Sequence, residues 1–325
     1  MTQDSWLGTS GTGALLGRTV LVTGASGFIG AHLVKRLVDL GAQVHTASRR
    51  PPAGPSAGAS SLQVDLADAA AVDELVRAVR PDVVFHLASQ TTGSRDVDAV
   101  PQTFANNLAS TVNLLTAATR FGRPRIVLAG SMEEPHPGEI RLRASSPYAV
   151  SKWASAAYAH LFNDLWLLPT VVLRVAMAYG PGRQDENRLV PYVINCWLDG
   201  RAPELSSGTR QIDWVYIDDV VDAFLAAACA PSVEGRSLDI GSGEPVDIRQ
   251  TVTMLRQIIG TDVPARFGAL PDRKYDSARI ADLTESGPLL GWSARVGLVE
   301  GLTRTVDWFR ARREQNEPTA VGRQR

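Results

Sequence analysis

Residues Thr19-Val20-Leu21-Val22-Thr23-Gly24-Ala25-Ser26-Gly27-Phe28-Ile29-Gly30 pass from a short β-branched run straight into a turn with glycines three apart. Val20-Leu21-Val22 is apolar at successive positions, the pattern of a strand covered by helices on both faces. Glycines 24, 27 and 30 sit where that strand ends and a helical pattern, Phe28 to Leu40 with Gly41 as its stop, begins. In such a turn Gly24 allows the tight bend, Gly27 lets backbone N–H groups approach a pyrophosphate, and Gly30 lets the helix pack close to the sheet. The first helical turn, around Ser26, Phe28 and Ile29, offers partial positive charge to phosphate. A dinucleotide is the implied ligand.

Working outward, the same alternation recurs. Gln43 to Ala47, Leu62 to Asp65, Asp82 to Leu87, Arg125 to Ala129 and Thr170 to Val175 read as strands, with helices over Asp68 to Val79, Pro101 to Arg120 and Tyr148 to Leu167. The predicted fold is α/β: a doubly wound parallel sheet of the Rossmann type with a smaller C-terminal α/β substrate domain. Beyond Tyr179 the order is less regular, and Gly180-Pro181-Gly182, Gly208 and Gly241-Ser242-Gly243 mark turns. The expected organisation is a flexible tail over 1–17, a dinucleotide-binding domain over 18–180, a mainly substrate-facing domain over 181–313 with 210–242 returning to the first, and a flexible tail over 314–325.

The 34 acidic and 33 basic residues nearly cancel, so no overall positive field favours nucleic acid or an anionic membrane. No apolar run reaches the roughly 18 residues that span a bilayer, and the start lacks the pattern of a secretion signal, so a cytoplasmic protein is expected. Cys196 and Cys229 lie in apolar segments without metal-type spacing and read as reduced packing residues. His86 and His136 have no partner cluster, and no metal is expected. The tryptophans at 153, 166, 197, 214, 292 and 308 read as packing residues.

The second strand ends in Ala47-Ser48-Arg49-Arg50, where an acid would hold the ribose hydroxyls of NAD. Ser48, Arg49 and Arg50 suit the extra phosphate of NADP; the alternative is a solvated loop start. NADP is the preferred cofactor and NAD the alternative. Asp65 is a candidate for the adenine edge. Farther on, Tyr148 and Lys152 stand four residues apart, one helical turn on one face, while Ser131 follows a strand end. A tyrosine titrates near pH 10 unperturbed, so the Lys152 ammonium is expected to favour the phenolate. Ser131, Tyr148 and Lys152 then form one acid–base unit beside a nicotinamide.

With these residues in place, the chain resembles the extended short-chain dehydrogenase/reductases, in their nucleotide-sugar epimerase, dehydratase and reductase branch. The matching pieces are TGASGFIG at 23–30, DL at 65–66, HLAS at 86–89, NNLASTVNLL at 106–115, GSMEE at 130–134, SPYAVSK at 146–152, LRVAMAYGPG at 173–182, DWVYIDDVVDA at 213–223 and LLGW at 289–292. The resemblance implies redox chemistry at carbon 4 of a nucleoside-diphosphate sugar, and a homodimer paired through helices 101–120 and 148–167. It adds Leu66, Leu87, Ala88, Ser89 and Asn107 to the cofactor side, Asn107 steadying the lysine through water, and Gln90, Ser131, Met132, Arg210 and Arg273 to the substrate side. Glu133 matches the base of 4,6-dehydratases, although similar Ser-x-Glu-Glu runs resemble reductases, and a loop or cap carboxylate is the plain alternative.

Three positions depart from the branch: Met177 replaces an asparagine, Ile212 replaces a diphosphate-binding arginine, and Pro135-His136-Pro137-Gly138 replaces a Tyr-Gly loop. Arg210, Gln211 or Arg273 are candidates to compensate, the alternative for the two arginines being exposed surface charge. The implied reaction is reduction of a 4-keto-6-deoxyhexose nucleotide, ahead of 4,6-dehydration and 4-epimerisation. A reductase of non-nucleotide ketones and a non-catalytic dinucleotide-binding module are the remaining alternatives.

Overall fold

The computed structural model describes residues 12–50, 58–91, 93–135, 144–272 and 278–316. In chain order the strands are β1 (Thr19–Thr23), β2 (Gln43–Ser48), β3 (Ala59–Gln63), β4 (Val83–His86), β5 (Arg125–Ser131), β6 (Thr170–Val175), β7 (Met177–Tyr179), β8 (Glu204–Leu205), β9 (Gln211–Tyr216), β10 (Arg236–Ile240), β11 (Pro245–Asp247) and β12 (Arg266–Phe267). The helices are α1 (Phe28–Asp39), α2 (Ala69–Val79), α3 (Ala99–Thr103), α4 (Ser110–Arg120), α5 (Pro147–Trp166), α6 (Leu189–Leu198), α7 (Ile217–Cys229), α8 (Ile248–Ile259), α9 (Leu283–Leu290) and α10 (Leu298–Asn316).

Seven parallel strands in the order β3-β2-β1-β4-β5-β6-β10 make a Rossmann sheet. The order reverses between β1 and β4, and the crevice beyond those strand ends is where such sheets bind ligands. Each face carries its own core. Leu33 and Leu37 of α1 and Phe224 of α7 pack with Val20, Val22 and Phe85 on one side; Leu75 of α2, Leu114 of α4 and Phe162 of α5 pack with Leu21, Val84 and Ile126 on the other. Alternate residues of one strand thus feed opposite cores, which is why these strands are apolar throughout. A third core joins Tyr179, Trp197, Trp214, Ile248, Leu302 and Phe309, beside the small sheet β11-β9-β7.

Several expectations shift. β3 covers 59–63 instead of 62–65, because Val44 of β2 pairs with Ala59. Leu15, in the segment expected as a tail, is 2% exposed and packs in the first core, and helix α10 runs past 313 to Asn316. The helix expected from 101 is a composite: α3 and α4 are joined by a π-helical turn, Phe104–Ala109. Trp197, Trp214 and Trp292 are buried; Trp153 on α5 is exposed, a correction to its reading as a packing residue, while Trp166, also exposed, packs its ring on buried Phe162 at 4.7 Å between centres. Among the described residues no helix is long and apolar enough to cross a membrane.

Candidate active site

The glycine turn is a cradle built from backbone. Gly24 has φ +72°, and a Cβ there would lie 2.6 Å from Leu87 C and Ala88 N of the neighbouring strand end. A Cβ on Gly30 would lie 2.2 Å from Gly24 O, so only glycine lets α1 begin this close to the sheet. Gly27 caps α1 without a side-chain bond, so its leading N–H groups are not taken by a capping side chain. Ser26, Phe28, Ile29, Leu87 and Ser89 line the same cavity, of about 630 Å³, and the buried Ser89 Oγ has no protein partner there. A cradle with no room for side chains, an oriented helix start and an orphaned hydroxyl fit a dinucleotide. Ala88 lies just behind this wall, its N–H donating to Thr23 Oγ1 at 3.2 Å.

At the β2 end, Arg49 Nη1 donates to Asn106 Oδ1 at 3.0 Å, and Ser48 Oγ donates to Arg50 O at 2.5 Å. Asn106 Nδ2 in turn donates to Gln90 Oε1 at 3.0 Å. Asp65 is exposed and accepts from Ala67 N at 3.0 Å, closing a local turn next to buried Leu66. The π-helical turn widens the helix enough to carry Asn107 inward. Asn107 accepts from Gln90 N at 2.7 Å and donates to Gln90 O at 3.3 Å and to Ser151 Oγ at 2.9 Å; its side chain thus bonds Gln90 and the residue preceding Lys152, not the lysine itself.

Ser131, Met132 and Glu133 at the β5 end and Tyr148 and Lys152 on α5 meet in the same cavity. Ser146 caps α5 by accepting from Ala149 N, and Pro147 follows at the first helical position, so Tyr148 is held one residue inside a firmly started helix. Lys152 Nζ donates to Ala129 O at 2.7 Å and lies 5.9 Å from the centre of the Tyr148 ring. The expectation of a phenol acidified by that ammonium is corrected. Burial, then the Glu133 carboxylate, pushes Tyr148 up to about 12 despite a hydrogen bond with Ser131. Burial pulls Lys152 down to about 8. In this arrangement desolvation outweighs the one-turn spacing, and the phenol is held protonated. His86, bonded to Thr23 Oγ1 at 2.8 Å and Thr111 Oγ1 at 2.9 Å, is held neutral by burial at about 3.

A second part of the lining, made of connections, carries arginines, and one of them, Arg188, donates to Thr91 O beyond β4 at 2.8 Å. Arg210, read from the sequence as a substrate-side candidate, lines the cavity beside buried Ile212; Arg273 lies outside the described residues. Arg183, Arg188 and Arg279 also line it, and sequence reasoning missed all three. Arg183 and Arg188 follow the Gly180-Pro181-Gly182 turn directly after a strand end, a position that gave a usable signal. Arg279 is placed by two buried carboxylates: Asp213 accepts from Ala281 N and Asp239 from Asp282 N, both at 3.0 Å. That signal exists only in three dimensions.

A family model described as the NAD dependent epimerase/dehydratase family matches residues 20–241. A UDP-glucose 4-epimerase of Mycolicibacterium smegmatis is 32% identical, over 89% of this chain and 98% of that protein. A dTDP-glucose 4,6-dehydratase of Actinoplanes sp. is 30% identical, over 90% and 98%. The crystal structure of the Thermus thermophilus UDP-glucose 4-epimerase complex with NAD superposes with a TM-score of 0.79 at 29% identity, covering 90% of this chain and 98% of that one. A glycine cradle, a Ser-Tyr-Lys cluster at the strand ends and this likeness along the whole sheet make the chain an enzyme of the short-chain dehydrogenase/reductase type, a member of the NAD dependent epimerase/dehydratase family.

Proposed function

We propose that the enzyme reduces the 4-keto group of a 4-keto-6-deoxyhexose nucleotide at the expense of NADPH. The observation that carries this reading is the β2 end, where Ser48 and Arg49 stand in place of a carboxylate and Arg49 is held on Asn106. A guanidinium there favours a 2′-phosphate, and selection of NADP suits a reaction that consumes its cofactor. Two further features support reduction. Tyr148, pushed up to about 12, is in the acid form at neutral pH and suits delivery of a proton to a keto oxygen. Met132 occupies the place where some 4,6-dehydratases carry an acid, which disfavours elimination of water.

A nicotinamide cofactor held at the Gly24–Gly30 turn would supply the hydride. Ser131 and Tyr148 orient the keto oxygen, and the Tyr148 hydroxyl gives it a proton as negative charge develops there. Lys152 anchors the base of that unit on Ala129 O. Glu133, half-buried beside Tyr148, helps keep the phenol protonated. Arg183, Arg188, Arg210 and Arg279 provide charge for the nucleoside diphosphate, in place of the guanidinium that Ile212 lacks.

A second reading, epimerisation at carbon 4, is favoured by the likeness to enzymes named UDP-glucose 4-epimerase. Purified protein mixed with NADPH and a panel of UDP- and dTDP-4-keto-6-deoxyhexoses separates the two. Loss of reduced-nicotinamide absorbance with one of them is the expected result. Conversion of UDP-glucose or dTDP-glucose with no net cofactor consumption would overturn reduction. We also place the enzyme in the cytosol as a homodimer. Val100 and Phe104 near the π-helical turn, and Val150, Trp153, Leu161 and Leu165 along α5, expose an apolar stripe suited to a second copy.

A further inference from the structure

β5 outruns its neighbour. β4 ends at His86, opposite Leu128, whereas β5 continues to Ser131 along β6. Main-chain groups alternate in direction along β5: Arg125 N donates to Asp82 O on the β4 side and Ile126 N to Pro169 O on the β6 side. The odd-numbered residues face β4, so Ala129 O and Ser131 N have no strand to bond. Two side chains substitute for it. Lys152 Nζ donates to Ala129 O at 2.7 Å, and Glu134 Oε1 accepts from Ser131 N at 2.6 Å. Gly130, between them, leaves the space: a Cβ there would lie 2.8 Å from Glu134 Oε1.

Glu134 and Lys152 are 2% and 8% exposed, and a charge so buried is costly unless balanced. The groups facing this notch are few. From α5 come Lys152 and Tyr148. From β6 comes Arg174, register partner of Gly130 and bound through Nε to Asp239 of β10 at 2.6 Å. From β4 comes His86, which stays neutral. Arg174 is answered by Asp239, and the half-buried Glu133, next to Glu134, acts on Tyr148, so the carboxylate that acts on Lys152 is Glu134.

We propose that Glu134 is a positioning residue: docked on the Ser131 N–H, its carboxylate is the counter-charge that holds Lys152 as an ammonium on Ala129 O and sets the pH range in which Lys152 stays charged. Burial raises Glu134 to about 7 and lowers Lys152 to about 8, and each moves the other back toward the charged form. The assignment rests on the functional reading only in taking Lys152 as part of the acid–base unit.

The test is NMR of protein labelled with 13C in lysine, following the Lys152 Cε signal, identified by its loss in Lys152→Met, through the neutral and alkaline range. In Glu134→Gln, whose amide oxygen still accepts the Ser131 N–H, the Lys152 midpoint is expected to fall by about one pH unit or more. An unchanged midpoint overturns the proposal. Should that variant not fold, the wild-type signal decides: a two-step shift, the lower step reporting Glu134, supports the pairing, and a single step overturns it. With whichever sugar nucleotide turns over, the alkaline limb of kcat/KM is expected to move to lower pH in Glu134→Gln; a uniform loss of kcat with the limb unmoved overturns it. The NMR needs no substrate, so inactivity toward every sugar nucleotide would sink the functional reading and leave this assignment to be judged separately.

Discussion

The two walls of the cavity are made in different ways. The cofactor wall is regular structure: a strand, a glycine turn, a helix start and the ends of β4 and β5, held by backbone pairing and by two apolar cores. The wall proposed to face the substrate is assembled from connections, with Arg183 and Arg188 after β7, Arg210 before β9 and Arg279 before α9. Regular structure constrains a site through every ladder bond, whereas connections constrain it through a few side chains such as Asp213 and Asp239. One wall is accordingly suited to a cofactor of constant shape and the other to a substrate that differs among relatives.

The largest effect should come from the seam between the walls. Tyr148→Phe is expected to lower turnover by roughly 10²–10⁴-fold while sparing cofactor affinity, read by steady-state kinetics and cofactor fluorescence. A break in the cofactor wall is next. Gly30→Ala forces a Cβ against Gly24 O and should cost about 1–3 kcal/mol by denaturant titration, with cofactor binding weakened in step. Retained affinity would mean that the wall tolerates movement that its geometry denies.

On the substrate wall, Arg188→Ala or Arg279→Ala should raise KM roughly 10–100-fold with a smaller change in kcat, the signature of lost charge-assisted binding. An equal fall in kcat and kcat/KM would instead tie these arginines to the transition state. The cofactor preference is a smaller effect: Arg49→Ala should cut the ratio of NADPH to NADH affinity by about 10-fold, and an unmoved ratio would remove the case for NADP. Asn106→Ala, which frees Arg49, is expected to weaken NADPH binding less. Outside both walls, Leu161→Glu with Leu165→Glu should halve the mass seen by sedimentation, with the fold retained.

Much of the cofactor wall was legible beforehand. Gly24, Gly27 and Gly30 announce themselves because a strand-to-helix turn at close range admits only glycine, and Ser131, Tyr148 and Lys152 because strand ends and helical spacing are local properties. The composite helix from Ala99 to Arg120 was legible as a helix but not as one broken by a π-helical turn, since the extra residue leaves the apolar pattern almost intact. The direction of the Tyr148 shift was misread for a related reason: spacing shows that a cation is near, but not how completely both groups leave water.

The amino-acid sequence alone determined the doubly wound sheet, the dinucleotide cradle and the trio at the strand ends, because each depends on residues adjacent along the chain or one helical turn apart. Tertiary structure decided which arginines line the cavity, which of two consecutive glutamates is buried, and in which direction burial moves the phenol. Those outcomes depend on where distant segments come together and on how much water their meeting excludes, and neither quantity is written in any local pattern.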